Sequence, residues 1–525
     1  MDLAVEAPWT DELADGATGL AAEQAPDTVP RVARNLRALA GGQAVTWTMT
    51  LIWTVIVPRA LGPFGLGILV SAQAVSGVLA IVLGLGTRNY LAREIVVRRE
   101  AGPELVGTAI VLRLTLAPVV GLCAVVWAHL AHYGAQASVV LYVITAMTVL
   151  GLVAEPMQAA FQAIERMKYL AYADIINKTA QSLIGIALVV IGFRVVGIAV
   201  NMAAAAGVVL LLNALWLRRF FRVDLRTNVR MMTDMVKQSC AYWAFGLFGY
   251  IYFWIDTIML TVMTRSQVVG WYAAPSTLFQ TLMFLPVLIS TAWLPRLVTA
   301  FGEGRRNLFR TARAPFEFIL VISVPLAAGT ALAAHFLVHA VYGPAFAHAV
   351  PVMVILACCI PPIYLNIILA QVLLAEKRQA LWTTVMAGAA VVNPALNLVL
   401  IPATQRSYHN GAIGAAISLV LTELLMVAVG FWVVGRRVLD RGGIRRCVLA
   451  IAASAGMCGV TLATRPLAGS LPSLLAGGAT LVVLTIALRI LTPEETAQIR
   501  AVLGRLRARL GEMMRVARRA RSEGR

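Results

Sequence analysis

Arg113 and Lys178, together with the acids Glu155, Asp256, Glu317 and Glu423, fall inside long apolar runs of a 525-residue chain. A charge at the centre of a bilayer costs at least ~2.5–3.5 kcal/mol, so such groups persist where they face a wet cavity, pair, or snorkel to an interface. A cation facing a cavity can hold an anion. An isolated buried carboxylate favours its protonated form and can cycle a proton. Arg113 lies about 7.5 Å beyond Thr108 at roughly 1.5 Å per residue, and Lys178 sits at similar depth in its own run. The bland alternatives are equally concrete. Either cation can snorkel, Asp174 and Lys178 are an i,i+4 pair that can neutralise each other, and Glu155 against Arg113 would be a structural salt bridge. Arg37, before the first apolar run, is a further cation candidate or a topological anchor. Uncharged candidates are Gln43, Thr46, Thr48 and Thr50, and the i,i+4 pair Asn393 and Asn397 flanking Pro394. A kink at that proline exposes carbonyls, although interhelical hydrogen bonding explains the asparagines equally well. Asp256, Glu423 and Glu155 are the candidate coupling-ion sites.

The elements that position these residues are membrane spans. The chain is 60% hydrophobic and only 13% charged, with a mean hydropathy of +0.80. Soluble proteins carry about 25% charged residues, so water-soluble domains are excluded. The net charge of +19 does not indicate nucleic acid, because the cations cluster between apolar runs. A span needs about 20 mainly apolar residues. Such runs occur near 38–57, 66–86, 108–129, 137–157, 171–192, 195–217, 240–263 and 270–294. Six more lie near 314–335, 349–372, 379–402, 411–435, 447–464 and 471–489. The expected fold is an all-α polytopic membrane protein of about fourteen helices.

Charge placement orients them. Of 44 Lys and Arg, 37 flank alternate connections or the two ends, five lie on the opposite side, and Arg113 and Lys178 remain within spans. The positive-inside rule then places both termini in the cytoplasm. Residues 1–29 carry seven acids and no Lys or Arg, the reverse of a signal peptide's basic start, and read as an acidic disordered tail. The six histidines fall in or beside external connections, and read as interfacial or as an external pH-sensitive group. The six cysteines lack metal-ligand spacing and read as buried small hydrophobes, with no metal site expected.

Helices 1–6 and 7–12 read as two copies of one unit. GTRNYLAREI aligns with LPRLVTAFGE, FQAIERMK with LLAEKRQ, and both sixth helices close on Arg-Arg (Arg218/Arg219 and Arg436/Arg437). Six crossings per copy make the repeats parallel, as in two-lobed carriers that rock about a central site. The organisation is thus a tail (1–29), an N-lobe (30–222), a C-lobe (223–440) and two extra C-terminal helices (441–491). Residues 492–525 close the chain as a basic amphipathic helix on anionic lipid. Thr492 and Pro493 supply its cap, and an apolar stripe runs from Ile499 to Ala517. The seventh helix opens AYWAFGLFGYIYFW, whose aromatics can pack in the membrane or stack on sugars.

The stretches RNLRALAGGQAV, VPRALGPFGLGIL and LGLGTRNYLAREI resemble the first half of bacterial polysaccharide-export, Wzx-type oligosaccharide flippases. YFWIDTIMLTVMTRSQVVGWYAAPSTL, WLPRL, VYGPAF, NPALNLVLIP and NGAIGAAISLVLTELL resemble the second half, so the likeness runs over about 31–437. It implies the multidrug/oligosaccharidyl-lipid/polysaccharide exporter fold in a bacterial inner membrane. It also implies movement of an undecaprenyl-pyrophosphate-linked oligosaccharide from inner to outer leaflet for cell-surface polysaccharide synthesis. In that setting Arg113, Lys178 and Arg37 are candidate pyrophosphate ligands, with Gln43, Asn393 and Asn397 as candidate polar substrate contacts. Fourteen helices instead of twelve is a number shared with lipid II flippases, whose basic, glycine-rich opening motifs are absent here. No cofactor is expected beyond a coupling proton or sodium ion. Expected partners are the lipid-linked oligosaccharide, membrane lipids and other polysaccharide-assembly proteins, and not nucleic acid. A drug/cation antiporter of the same fold is the nearest alternative. A membrane glycosyltransferase or polymerase fits less well, because the longest external connection, 336–348, has no Asp or Glu, and no GxxxxGK[ST] phosphate loop occurs.

Overall fold

The computed structural model describes residues 28–435, 441–492 and 496, apart from the side chains of 28–47, 82, 241, 242, 244–246, 248 and 441. Arg37 and Gln43 therefore lie outside the described side chains. Nearly all of the acidic 1–29 tail and the basic 492–525 segment lies outside the described residues. The chain is all helical there. In order, the helices are α1 (Thr28–Gly84), α2 (Thr87–Val97), α3 (Gly102–Leu130), α4 (Ala135–Ala163), α5 (Met167–Val190), α6 (Val195–Leu217), α7 (Val229–Met263) and α8 (Ser266–Leu282). They continue with α9 (Phe284–Gly302), α10 (Arg305–Tyr342), α11 (Val350–Ala357), α12 (Ile360–Ala375), α13 (Gln379–Tyr408), α14 (Gly411–Val434), α15 (Arg441–Ala468) and α16 (Ser470–Ala487). Helices satisfy their own backbone polar groups, which a hydrocarbon solvent demands.

Among the described residues, twelve segments are long and apolar enough to cross a membrane, so this is a multi-pass membrane protein. Fourteen were expected, and the difference has two causes. One twelfth of the set, Thr48–Ile81, is continuous in hydrogen bonding yet broken at Gly62 (φ 67°, ψ 177°), where the first two expected helices meet. In α7 (Val229–Met263) the stretch with continuously described side chains is Gly249–Met263, and it is apolar. Splitting the first and counting the second recovers the fourteen apolar segments of the sequence.

The chain forms two compact units, 1–273 and 274–525. In the first, one end of the bundle is built on Val57, Ile68, Leu141 and Ile198. The opposite end is built on Leu91, Ile95, Val106, Phe161 and Leu217, all at most 1% exposed. Side chains such as Leu114, Val119 and Leu122 point away from the protein, as lipid-facing residues do. Cys123 and Cys358 share that outward placement, and only Cys359 is buried. The cysteines as a group are therefore not core hydrophobes; their outer neighbours in a membrane are acyl chains.

Within the first unit α8 crosses the second arm of α1 at backbone distance. A Cβ on Gly67 would fall on the Ser266 carbonyl, and one on Gly270 on the Pro63 carbonyl. Close packing through small residues is how helices associate where the solvent is as apolar as leucine.

In the second unit, Asn410 caps α14 by accepting from the Ala412 N–H, and α13 and α14 form a long antiparallel pair. The α15–α16 hairpin packs on α10. There Arg446 Nη1 lies 2.6 Å from Glu317 Oε2, and Arg446 Nε donates to the Ile490 carbonyl at 2.9 Å. Glu317 is thus an anchor for the C-terminal pair. Behind it lies an apolar cavity of about 680 Å³, lined by Val321, Pro325, Gly329, Ala453, Met457 and Leu481 among others.

Two connections that align in the sequence share one turn geometry, which also closes α3 at His132 and α5 at Gly192. The α4–α5 turn places Glu165 at φ 57° and the α12–α13 turn places Lys377 at φ 58°. The hydrogen bonds match as well. Arg166 N donates to the Phe161 carbonyl and Arg378 N to that of Leu373, both at 2.8 Å. Each turn closes a helix with a left-handed residue and a six-to-one bond, the Schellman geometry.

Candidate functional site

The first unit holds a cavity of about 560 Å³ at the end built on Leu91, Val106 and Phe161. Its lining includes Arg88, Asn89, Glu155, Gln162, Trp243 and Tyr250, with Gly77, Gly84 and Gly86 forming wall. Chain geometry puts the polar groups there. Helix α1 ends at Gly84, and Leu85 (φ 47°) and Gly86 (φ 68°, ψ 6°) then turn the backbone through the left-handed region. That conformation costs an ordinary residue strain and glycine almost none. The turn restarts the chain as α2 and presents Arg88 and Asn89, both exposed, at the mouth. From α4 come Glu155 and, two turns later, the exposed Gln162. Neither the Asn89 nor the Gln162 amide is engaged in a hydrogen bond among the described residues.

The aromatic wall comes from α7. Trp243 Nε1 donates to the Ile81 carbonyl at 3.1 Å, fixing the indole against the second arm of α1. Tyr250 stacks on Trp254 with ring centroids 5.9 Å apart. Its hydroxyl occupies the space that a side chain at Gly77 would need.

Beneath the mouth lies a charge cluster. Arg113 is 1% exposed. Its Nη2 sits 2.8 Å from Glu155 Oε2 and donates to Thr87 Oγ1 at 2.9 Å, while Nη1 donates to the Leu152 carbonyl. Thr87 in turn donates to the Gly84 carbonyl at 2.8 Å. The other oxygen of Glu155 faces Arg88 Nη1 at 3.8 Å, and the Arg88 side chain is 49% exposed. Arg113 is therefore the foundation of the site, held by three acceptors. The cation that meets the cavity is Arg88.

The remaining predicted residues lie apart from this cluster. Lys178 is half-buried on α5, and Asp174, one turn earlier, is exposed; no ion pair joins them among the described residues. Asp256 is 5% exposed and accepts from the Tyr272 hydroxyl at 2.9 Å. In the second unit Glu423, 3% exposed, accepts from Asn366 Nδ2 at 2.7 Å. Asn393 and Asn397 are buried at 1% and 0% and bond to each other, Asn397 Nδ2 donating to Asn393 Oδ1 at 2.8 Å.

Sequence reasoning assigned Arg88 to orientation and passed over Asn89 and Gln162. The available signal was the Gly86-Thr87-Arg88-Asn89 run, in which a glycine breaks the helix just before a cation and an amide. Chemically the cavity offers one guanidinium for phosphate oxygens, free amides for hydroxyls, and an indole and a phenol for the apolar face of a sugar ring.

A family model described as "Polysaccharide biosynthesis protein" matches residues 32–301. No curated protein matches the sequence. Among solved structures, the fold is similar to a lipid II flippase, MurJ, in an inward closed conformation. The TM-score is 0.68 at 10% identity, over 87% of this chain and 98% of that one. It is also similar to an inward-facing multidrug resistance MATE family transporter of the MOP superfamily. There the TM-score is 0.57 at 15% identity, over 78% of this chain and 95% of that one. At these identities the likeness concerns the fold.

Proposed function

The chain belongs to the polysaccharide biosynthesis protein family, and from that premise we propose that it is a flippase for a lipid-linked oligosaccharide. Its substrate would be anchored on undecaprenyl pyrophosphate and carried from the inner to the outer leaflet of a bacterial inner membrane by alternating access. The observation that supports this reading is the first unit's cavity, where a guanidinium, two free amides and two aromatics share one hollow. Diphosphate and sugar need those groups together. A hydrophobic drug cation needs neither the guanidinium nor the amides.

In this reading the cavity loads from the cytoplasm, the side to which the basic connections assign Arg88, Arg166 and Arg218. Arg88 binds the diphosphate, Asn89 and Gln162 meet the first sugar, and Trp243 and Tyr250 bear on a ring face. Arg113 holds the cluster in shape. Lys178 and Arg37 keep the role of secondary cations and Gln43 that of a polar substrate contact, whereas Asn393 and Asn397, buried and bonded to each other, do not keep theirs. Asp256 and Glu423 are the better candidates for a coupling proton or sodium ion, since Glu155 is bound by Arg113. Translocation of a complete lipid-linked product makes no covalent bond, so the chain acts as a carrier rather than an enzyme. Membrane lipids and other polysaccharide-assembly proteins are its expected neighbours.

An isoprenoid tail requires apolar surface, and the second unit by itself offers one in the cavity behind the α15–α16 hairpin. A Cβ at Gly329 would have only Met457 Cε near, at 4.0 Å, so Gly329→Phe can grow into that space. The variant is expected to lower transport several-fold at unchanged membrane abundance; full transport would remove the cavity from the tail's path.

The decisive experiment is to delete the gene and measure lipid-linked oligosaccharide in each leaflet. Accumulation on the inner leaflet, reversed by the intact gene, is expected. Normal outer-leaflet appearance with a drug-sensitivity phenotype would favour the drug/cation antiporter.

A further inference from the structure

Two properties of the Arg113–Glu155–Arg88 cluster do not follow from ion pairing alone. Glu155 is held on one side only. Its Oε2 is fixed at 2.8 Å by an arginine that is itself bound to Thr87 and Leu152, so the carboxylate cannot follow a departing partner. Its Oε1 stands 3.8 Å from Arg88, beyond hydrogen-bonding distance, and the Arg88 side chain is half-exposed in the first turn of α2. One interaction is rigid and the other loose, and the loose one faces the cavity. The cluster carries two cations and one anion, so Arg88 is satisfied electrostatically yet keeps its donors uncommitted.

We propose that Glu155 is a resident counter-anion, which the diphosphate of the substrate displaces from Arg88. Loading exchanges one anion for another at the same guanidinium. Release is the reverse, with Glu155 waiting at fixed distance to reclaim Arg88. The carboxylate opposes the incoming negative charge, which keeps binding weak enough to be undone. A carrier that offered Arg88 without Glu155 would bind tightly and turn over slowly. Glu155 is thus a positioning residue acting through Arg88. The inference rests on the diphosphate reading of the cavity and assigns Glu155 a role other than ion coupling.

The test uses the full chain in lipid nanodiscs with farnesyl diphosphate as probe and farnesol as its uncharged control. Glu155→Gln keeps the shape and can still accept from Arg113. It is expected to bind farnesyl diphosphate three- to tenfold more tightly than the unaltered chain, with affinity for farnesol unchanged. Arg88→Gln is expected to bind the diphosphate at least tenfold more weakly. In the double variant the gain from Glu155→Gln should vanish, because it operates through Arg88. A merely structural Glu155 predicts the opposite sign, since a disordered site binds less. Unchanged or weaker binding by Glu155→Gln, or a gain that survives Arg88→Gln, overturns the exchange while leaving the headgroup site intact. Equal binding of diphosphate and farnesol by the unaltered chain overturns the diphosphate reading itself. Should Glu155→Gln fail to fold, Glu155→Asp withdraws the carboxylate from Arg88 by one methylene. A smaller gain in affinity is then expected, and no gain overturns the exchange.

Discussion

Arg113→Met is expected to cost at least about 1–3 kcal/mol of stability, the penalty for leaving buried acceptors without their donor. The guanidinium donates to Glu155, Thr87 and the Leu152 carbonyl, so its loss strands three acceptors from α2 and α4 at once. Thermal unfolding of the purified chain in one detergent would show the loss as a lowered transition temperature. The double variant Arg113→Met/Glu155→Gln should not recover it, because Thr87 and the Leu152 carbonyl stay without their donor and Arg88 loses its anion. Loss of transport by Arg113→Met with an unchanged transition temperature would mean that Arg113 acts on the ligand directly instead of through the site's framework.

The second large effect is expected where α8 crosses α1. Gly67→Ala and Gly270→Ala each drive a methyl group into a backbone carbonyl, of Ser266 and Pro63 respectively. Backbone cannot swing aside as a side chain can. The penalty should therefore reach or exceed the upper part of the ~1–3 kcal/mol range for overpacked sites. The same unit provides its own controls. Gly121 on α3 and Gly151 on α4 have nothing within 4 Å of a Cβ, so Gly121→Ala and Gly151→Ala should be neutral or slightly stabilising. Four variants with equal transition temperatures would show that the crossing is not close.

The spans were legible because a bilayer imposes a length and a hydropathy on every crossing. What lay beyond the sequence was partnership. Arg113, at its depth, reads as a cation in need of an anion; whether that anion is a ligand or Glu155 depends on how α3 and α4 meet. The same holds for Asn393 and Asn397, whose spacing suits a cavity wall and equally suits the bond they make with each other. Arg88 was hidden for a different reason. Orientation charges and ligand charges look alike in a connection, and only the turn at Leu85 and Gly86 distinguishes this one. The single long α1 likewise reflects Gly62, whose neighbours keep helical hydrogen bonding across the break that hydropathy had read as two separate runs.

The matched turns that end α4 and α12 carry opposite charges at the same geometric position, Glu165 in one and Lys377 in the other, both exposed. The bonds that define these turns are made by backbone alone, so the side chain at that position is free to change sign without disturbing the fold. Glu165→Lys and Lys377→Glu should therefore each leave the transition temperature nearly unchanged, within the roughly 0.5 kcal/mol usual for exposed sites.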